Sequence, residues 1–93
     1  MSAIYTVKPT TRFRKDYKLM EKRNCDMSLL DGVIAKLALG TSLPASNRDH
    51  ALTGNYTGHR ECHIAPDWLL VYRFEQDVLV LTLTRTGSHS DLF

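Results

Sequence analysis

Apolar positions along the chain follow two different periods. From Thr11 to Asn24, Phe13, Tyr17 and Met20 recur at helical spacing with basic residues between them. From Met27 to Leu39 the stripe is Leu30, Val33, Ile34 and Leu37, which predicts a second helix. Thr10 or Thr11 is placed to cap the first helix, and Ser28-Leu29-Leu30-Asp31 has the shape of a capping box for the second. Asn24-Cys25-Asp26 separates the two, and Gly40 stands where the second should end. A link this short folds them into an antiparallel hairpin.

Ahead of the helices, Ala3 to Val7 is rich in β-formers and reads as a first strand stopped by Pro9. Residues 40–58 carry Pro44, Ser46, Asn47, Asp49, Gly54, Asn55 and Gly58 and read mostly as loop. Period-two signals follow at His59–Ala65, Trp68–Phe74 and Val78–Thr84, with Glu75-Gln76-Asp77 as a tight link between the last two. The order β-α-α-β-β-β predicts an α+β fold: a small, mainly antiparallel sheet with the N-terminal helix hairpin packed on one face.

Alternation assigns side chains to faces. His59, Glu61 and His63 share one side of their strand, while Arg60, Cys62 and Ile64 share the other. If Cys62 and Ile64 meet the helices, the two histidines and the glutamate face the open side. On the last strand Leu79, Leu81, Leu83 and Arg85 share a face, which puts the arginine at the rim of the core.

Composition narrows the class. Ninety-three residues suit one domain spanning 1–93, and 43% hydrophobic with 24% charged content is that of an ordinary soluble protein. No apolar run is long enough for a bilayer and the N-terminus has no signal-peptide core, so a cytoplasmic location without membrane contact is expected. Cys25 and Cys62 form neither a metal-type cluster nor a disulfide framework and read as reduced small hydrophobes. The net charge of +2 is unevenly spread: residues 1–25 hold seven Lys/Arg against Asp16 and Glu21, a balance of +5, and the rest of the chain holds −3. A cationic first helix, with Arg12, Arg14, Lys15, Lys18 and Lys22, is a docking surface for a polyanion or else a solvated face.

Four segments carry side chains that patterning does not explain: Asp49-His50, His59-Arg60-Glu61-Cys62-His63, Asp67-Trp68 and Arg85 through Phe93. All four histidines lie within them. Imidazoles titrate near neutrality, and several of them beside arginine suggest proton transfer around a phosphate, the chemistry of cutting RNA. His59 and His63 also have His-x₃-His spacing. On a strand rising ~3.3 Å per residue they stand about 13 Å apart, too far to share a metal ion.

The segments Asp49-His50-Ala51-Leu52-Thr53-Gly54, Gly58 through Ile64, Pro66 through Tyr72 and Arg85-Thr86-Gly87-Ser88-His89 resemble, in order and spacing, the YafQ branch of the RelE-type toxins of bacterial type II toxin–antitoxin pairs. The resemblance spans nearly the whole chain and is strongest from Asp49 onward. It implies a RelE-like fold, a ribosome-dependent endoribonuclease that cleaves mRNA in the ribosomal A site, and a cognate antitoxin that keeps the toxin inactive. Catalytic positions of the branch match His50, His63, Asp67 and His89, with Glu61, Trp68, Arg85 and Phe93 nearby. Glu61 departs from the shorter acid or other polar group common there, and His59 matches no family role.

On that basis RNA is cut by its own 2′-hydroxyl, with no cofactor. His89 is the expected acid and His50, or else Asp67, the base. His63 would orient the phosphate or hydrogen-bond Asp67, and Arg85 would stabilise the phosphorane. Glu61, Trp68 and Phe93 would contact RNA, while the basic helix meets ribosomal RNA. One alternative is a toxin of the ParE type, which shares the fold but poisons DNA gyrase by binding. Another is a nucleic-acid-binding module with no activity. Both leave the histidines without a task.

Overall fold

The computed structural model describes residues 4–93. Ala3, the expected start of the first strand, lies outside them. The elements run β1 (Thr6–Pro9), α1 (Thr11–Lys22), α2 (Met27–Ala38), β2 (His50–Ala51), β3 (Arg60–Ala65), β4 (Trp68–Glu75), β5 (Val80–Gly87) and α3 (His89–Leu92). Single 3₁₀ turns at Ala45–Asn47, Gly54–Tyr56 and Gln76–Val78 join them. The α+β class predicted from sequence is the one observed, with five strands in the order β1-β5-β4-β3-β2. β1 pairs with β5 in parallel and the other pairings are antiparallel, so the sheet is mixed.

Local signals are read out with small corrections. Thr10 caps α1, its hydroxyl accepting from the Phe13 N–H at 3.0 Å. For α2 the cap is Asp26, not Ser28: the Asp26 carboxylate accepts from the Ser28 N–H (3.1 Å) and hydroxyl (2.6 Å). Ser28 already lies inside the helix, where its own N–H needs that acceptor. Gly40, at φ 73°, closes α2 with paired bonds from Gly40 N–H to Leu37 and from Thr41 N–H to Lys36. Pro9 does not stop β1 but ends it within the ladder opposite Leu83. It is tolerated because β1 is an edge strand, where one side of the backbone needs no partner. Residues 40–58 conceal β2, whose two residues are too few to announce a strand.

The helices cover one face of the sheet. Phe13, Met20, Leu30, Val33, Leu37, Ala38, Cys62, Trp68, Leu70, Tyr72, Leu81 and Leu83 close into the main core there. Ile34, expected in the buried stripe, packs at its border. The Tyr17 hydroxyl reaches Asp31 at 3.0 Å and ties the two helices together. On the opposite face a smaller cluster gathers Leu69, Val71 and Leu92 with Leu52 and Tyr56. Trp68 through Tyr72 therefore reads as one apolar run because β4 is buried on both faces.

Two bulges reset the alternation. One lies between His63 and Ala65 on β3, and one separates the pairs Val71↔Arg85 and Tyr72↔Leu83. The second adds Thr84 as an extra residue, so Leu83 faces the helices while Arg85 faces the other way. Leu79 is not in β5; it sits exposed in a left-handed turn at φ 51°. The single face expected for Leu79, Leu81, Leu83 and Arg85 is thus reduced to Leu81 and Leu83.

Candidate active site

Strand register builds the site. His50 lies opposite Glu61, Glu61 opposite Val71, and Val71 opposite Arg85. Directly paired residues point the same way, so this is one row of side chains crossing four strands on the face away from the helices. The next row down holds His63, Leu69 and Gly87. β2 is two residues long, yet its pairing is what brings His50 alongside Glu61.

Glu61 stands at the centre. Its two carboxylate oxygens face different imidazoles, with His50 Nε2 3.9 Å from Oε2 and His63 Nε2 4.0 Å from Oε1. These separations exceed hydrogen-bond length, so they are charge contacts once a ring is protonated. Glu61 is 5% exposed, which corrects its expected place on an open face and its expected contact with RNA. β2 flanks Glu61 within the sheet, and the segment carrying Leu52 and Tyr56 packs with Leu92 of α3 on that face. The carboxylate acts between the two rings.

The His50 ring is fixed by its own loop. Its Nδ1 lies 2.7 Å from the Arg48 carbonyl, which can only accept, so Nδ1 carries the proton. Nε2 is then the lone-pair nitrogen in the neutral ring, facing Glu61 with the side chain half exposed. His63 is more enclosed, and the Asn47 side chain donates to its backbone carbonyl at 2.7 Å.

His89 arrives from the C-terminus. Its ring centroid is 5.9 Å from that of His63 and 6.4 Å from Phe93. Asp67, in the turn before β4, accepts both the backbone N–H of His89 (3.2 Å) and its Nδ1–H (3.1 Å). Those two donors, the backbone one foremost, hold the Asp67 carboxyl below the usual carboxylate range. Asp67 thus orients His89 and not His63, for which a bond to Asp67 was one of two expected roles, and His89 Nε2 has no partner among the described residues.

The tail that delivers His89 is a built element. Ser88 and Asp91 form a capping box on α3: the Ser88 hydroxyl accepts the Asp91 N–H at 3.3 Å, and Asp91 accepts the Ser88 N–H at 2.9 Å. Arg23, at the end of α1, grips Asp91 through two bonds of 2.7 and 3.1 Å and holds its carboxyl far below the ordinary value. Leu92 enters the small cluster. Gly87 makes the fold-back possible, because a Cβ there would stand 3.0 Å from Asp91 Cβ and Oδ2.

Arg85 belongs to the His50–Glu61 row but is turned toward α1. Its Nε and Nη2 donate to Asp16 at 2.7 and 3.2 Å, and Asp16 also accepts the Thr86 N–H at 3.2 Å. Asp16, with Tyr56 assisting, raises the Arg85 pKa above its ordinary value. Nη1 takes no part in the Asp16 contact.

Trp68 is corrected outright. It is 6% exposed in the main core, with its Nε1–H bonded to Thr86 Oγ1 at 2.9 Å, so it is no stacking platform. Alternation puts Trp68 on the helix face, where a flat surface is unavailable to RNA. Phe93 is 62% exposed and stands edge-on to Tyr56. His59 stays outside the group of rings and packs against Tyr56 at 5.9 Å.

The sequence reading passed over Asp16, Arg48, Tyr56 and the Ser88/Asp91 cap. Two of these leave a trace: Asp16 occupies a position on the Phe13–Met20 stripe, and Ser-x-x-Asp is a helix-start signature. On α1, Arg12, Arg14, Lys15, Lys18 and Lys22 are all exposed, while Asp16 is withdrawn to Arg85. The outward face is therefore more cationic than the helix composition suggests.

A mixed sheet with paired helices on one face is the fold this chain shares with a toxin of a bacterial toxin–antitoxin complex. The chain belongs to the YafQ family: the model described as bacterial toxin of type II toxin-antitoxin system, YafQ, matches residues 5–93. The mRNA interferase toxin YafQ of Escherichia coli K12 is 40% identical over 83 residues, 88% of each chain. The toxin in the E. coli DinJ–YafQ toxin–antitoxin complex superposes with a TM-score of 0.88 at 35% identity, covering 97% of this chain and 98% of that one. A metal-bound toxin from Helicobacter pylori superposes with a TM-score of 0.90 at 40% identity, covering 96% and 99%. Among the described residues of this chain no three His, Cys, Asp or Glu side chains gather into a metal-holding group.

Proposed function

We infer that this chain is a toxin of a type II toxin–antitoxin pair and an endoribonuclease that cuts mRNA on the ribosome. One observation carries the reading: His50, His63 and His89, from loop, strand and tail, stand around Glu61 and Asp67 on one face of the sheet. A gyrase-binding toxin would have no use for that convergence.

In the proposed reaction His50 Nε2 takes the proton of the 2′-hydroxyl, whose oxygen attacks the adjacent phosphorus in line. The bond to the 5′-oxygen breaks, His89 Nε2 delivers a proton to it, and a 2′,3′-cyclic phosphate and a 5′-hydroxyl result. Asp67 holds His89 in register through Nδ1, and the Arg48 carbonyl does the same for His50. Glu61 keeps both neighbouring rings facing the phosphate. Arg85, pre-oriented by Asp16, offers Nη1 to the phosphorane. Phe93 stacks on a base of the single strand. The exposed cations of α1 meet the phosphates of ribosomal RNA, and the inhibitory partner is a cognate antitoxin like that of the E. coli complex.

The test is His89→Gln with purified translating ribosomes. Cleavage should fall by roughly 10²–10⁴-fold, the range for losing a placed acid or base, with the unfolding midpoint unchanged. Undiminished cleavage would remove His89 from the mechanism.

A further inference from the structure

Beside the imidazole cluster lies a cavity of about 380 Å³, walled on one side by Ser46, Asn47 and Arg48 and on the other by His63 through Pro66. It is not isolated from the proposed chemistry, because His63 is both a wall of the cavity and a neighbour of Glu61 and His89. Ile64, Ala65 and Pro66 give it apolar lining, and Ser46, Asn47, Arg48 and His63 give it polar groups.

Arg48 distinguishes it. Beyond α1, Arg23, Arg60, Arg73 and Arg85 each hold an acidic partner, at 2.7, 2.6, 3.9 and 2.7 Å. Arg48 is exposed and has no ion pair among the described residues. Its backbone is held in the left-handed region at φ 49°, a conformation a non-glycine residue keeps only when its surroundings enforce it. Here they do. Asn47 is bonded to the His63 carbonyl, and the Arg48 carbonyl receives His50 Nδ1–H. The guanidinium is thus carried on a backbone anchored to two of the three clustered histidines.

We propose that this cavity is the subsite for the nucleotide adjoining the scissile phosphate, with its base against Ile64–Pro66 and its flanking phosphate on Arg48. The proposal deepens the nuclease reading and rests on it for the identity of the strand. Slots of this size, apolar with a few fixed polar groups, take planar ligands, and a splayed base beside a guanidinium is a usual arrangement for single-stranded RNA. An unpaired arginine suits a phosphate because its planar fork can donate two bonds at once.

Two measurements test it. In the first, ¹⁵N-labelled protein is titrated with a non-cleavable 2′-deoxy dinucleotide. Shifts are expected at the Asn47 side-chain amide and at Ile64 and Ala65, weakened about tenfold in Arg48→Asn and abolished by Ser46→Trp, which fills the slot. Asparagine tolerates the left-handed backbone, so the carbonyl that holds His50 stays in place. Absence of shifts at these positions in large ligand excess would overturn the subsite. In the second, Arg48→Asn on translating ribosomes should raise KM about tenfold and leave kcat within about twofold, with Arg48→Lys recovering part of the loss. A fall in kcat at constant KM would overturn it too, since Arg48 would then act only by holding His50. Dinucleotide shifts at the slot in a protein that cuts no mRNA would retain the nucleotide site and reject the nuclease reading.

Discussion

The two faces of the sheet are made from the same five strands and behave as different materials. The helix face is thick and apolar, and within it Trp68 Nε1–H donates to Thr86 Oγ1, which donates to the Leu69 carbonyl at 2.7 Å. The opposite face has a small cluster of three buried apolar side chains and a row of titratable groups, several of them open to solvent. Stability is concentrated on the first, where buried area is large. Titratable groups are concentrated on the second, where imidazoles stay accessible without being loose. Two of the rings are held through Nδ1, which leaves Nε2 free of a hydrogen bond: Arg48 O behind His50, Asp67 behind His89. A face can be reactive and rigid at once when its anchors are hydrogen bonds rather than packing.

Breaking the thick face should have the largest effect. Trp68→Ala removes a core ring and one of the two hydrogen bonds of the Thr86 hydroxyl, and should cost about 3–5 kcal/mol in denaturant unfolding. An unfolding loss below about 1 kcal/mol, with RNA cleavage abolished, would mean that Trp68 serves the substrate after all. Asp16→Ala tests the ion pair that crosses from α1 to the His50–Glu61 row. It leaves Arg85 without its partner and should cost about 2–4 kcal/mol, while cleavage falls in parallel because the guanidinium loses its orientation. Cleavage that survives with stability lost would make the pair purely structural.

The thin face should respond more mildly and through pH. The folded-state pKa of Asp91 lies below its unfolded value, so its contribution is fully present above the unfolded value and is lost as pH falls through the folded one. Asp91→Asn should therefore destabilise the protein by about 1 kcal/mol near neutrality. The gap to wild type should close on acidification below about pH 4. A gap independent of pH would show that the Arg23 contact contributes little. Smallest of all for the fold is the α1 surface. Reversing Lys15 and Lys18 to Glu should leave stability within about 0.5 kcal/mol yet weaken ribosome binding and flatten its salt dependence. Unchanged binding would return that face to simple solvation.

The contrast between faces also explains what could be read in advance. The helix stripes, the three long strands and the α+β order follow from periodicities set by nearest neighbours. The histidines and Asp67 stood out because no packing demand accounts for them. Trp68 was misassigned because an aromatic next to Asp67 looks the same in sequence whether it faces RNA or the core. Glu61 was expected in the open because the segments that pack beside it, the loop with Leu52 and Tyr56 and a one-turn helix, carry almost no periodic signal.

The order of residues by itself determined which side chains were available for chemistry and which local elements would hold them, since caps, stripes and strand propensities act over a few positions. Only the tertiary structure decided how those side chains meet. One extra residue at Thr84 turns Arg85 away from the leucines, the pairing of His50 with Glu61 sets the row, and Arg23 brings His89 back from the terminus to Asp67. Register, bulges and long-range ion pairs arise from interactions between segments up to about seventy residues apart, which no local pattern encodes.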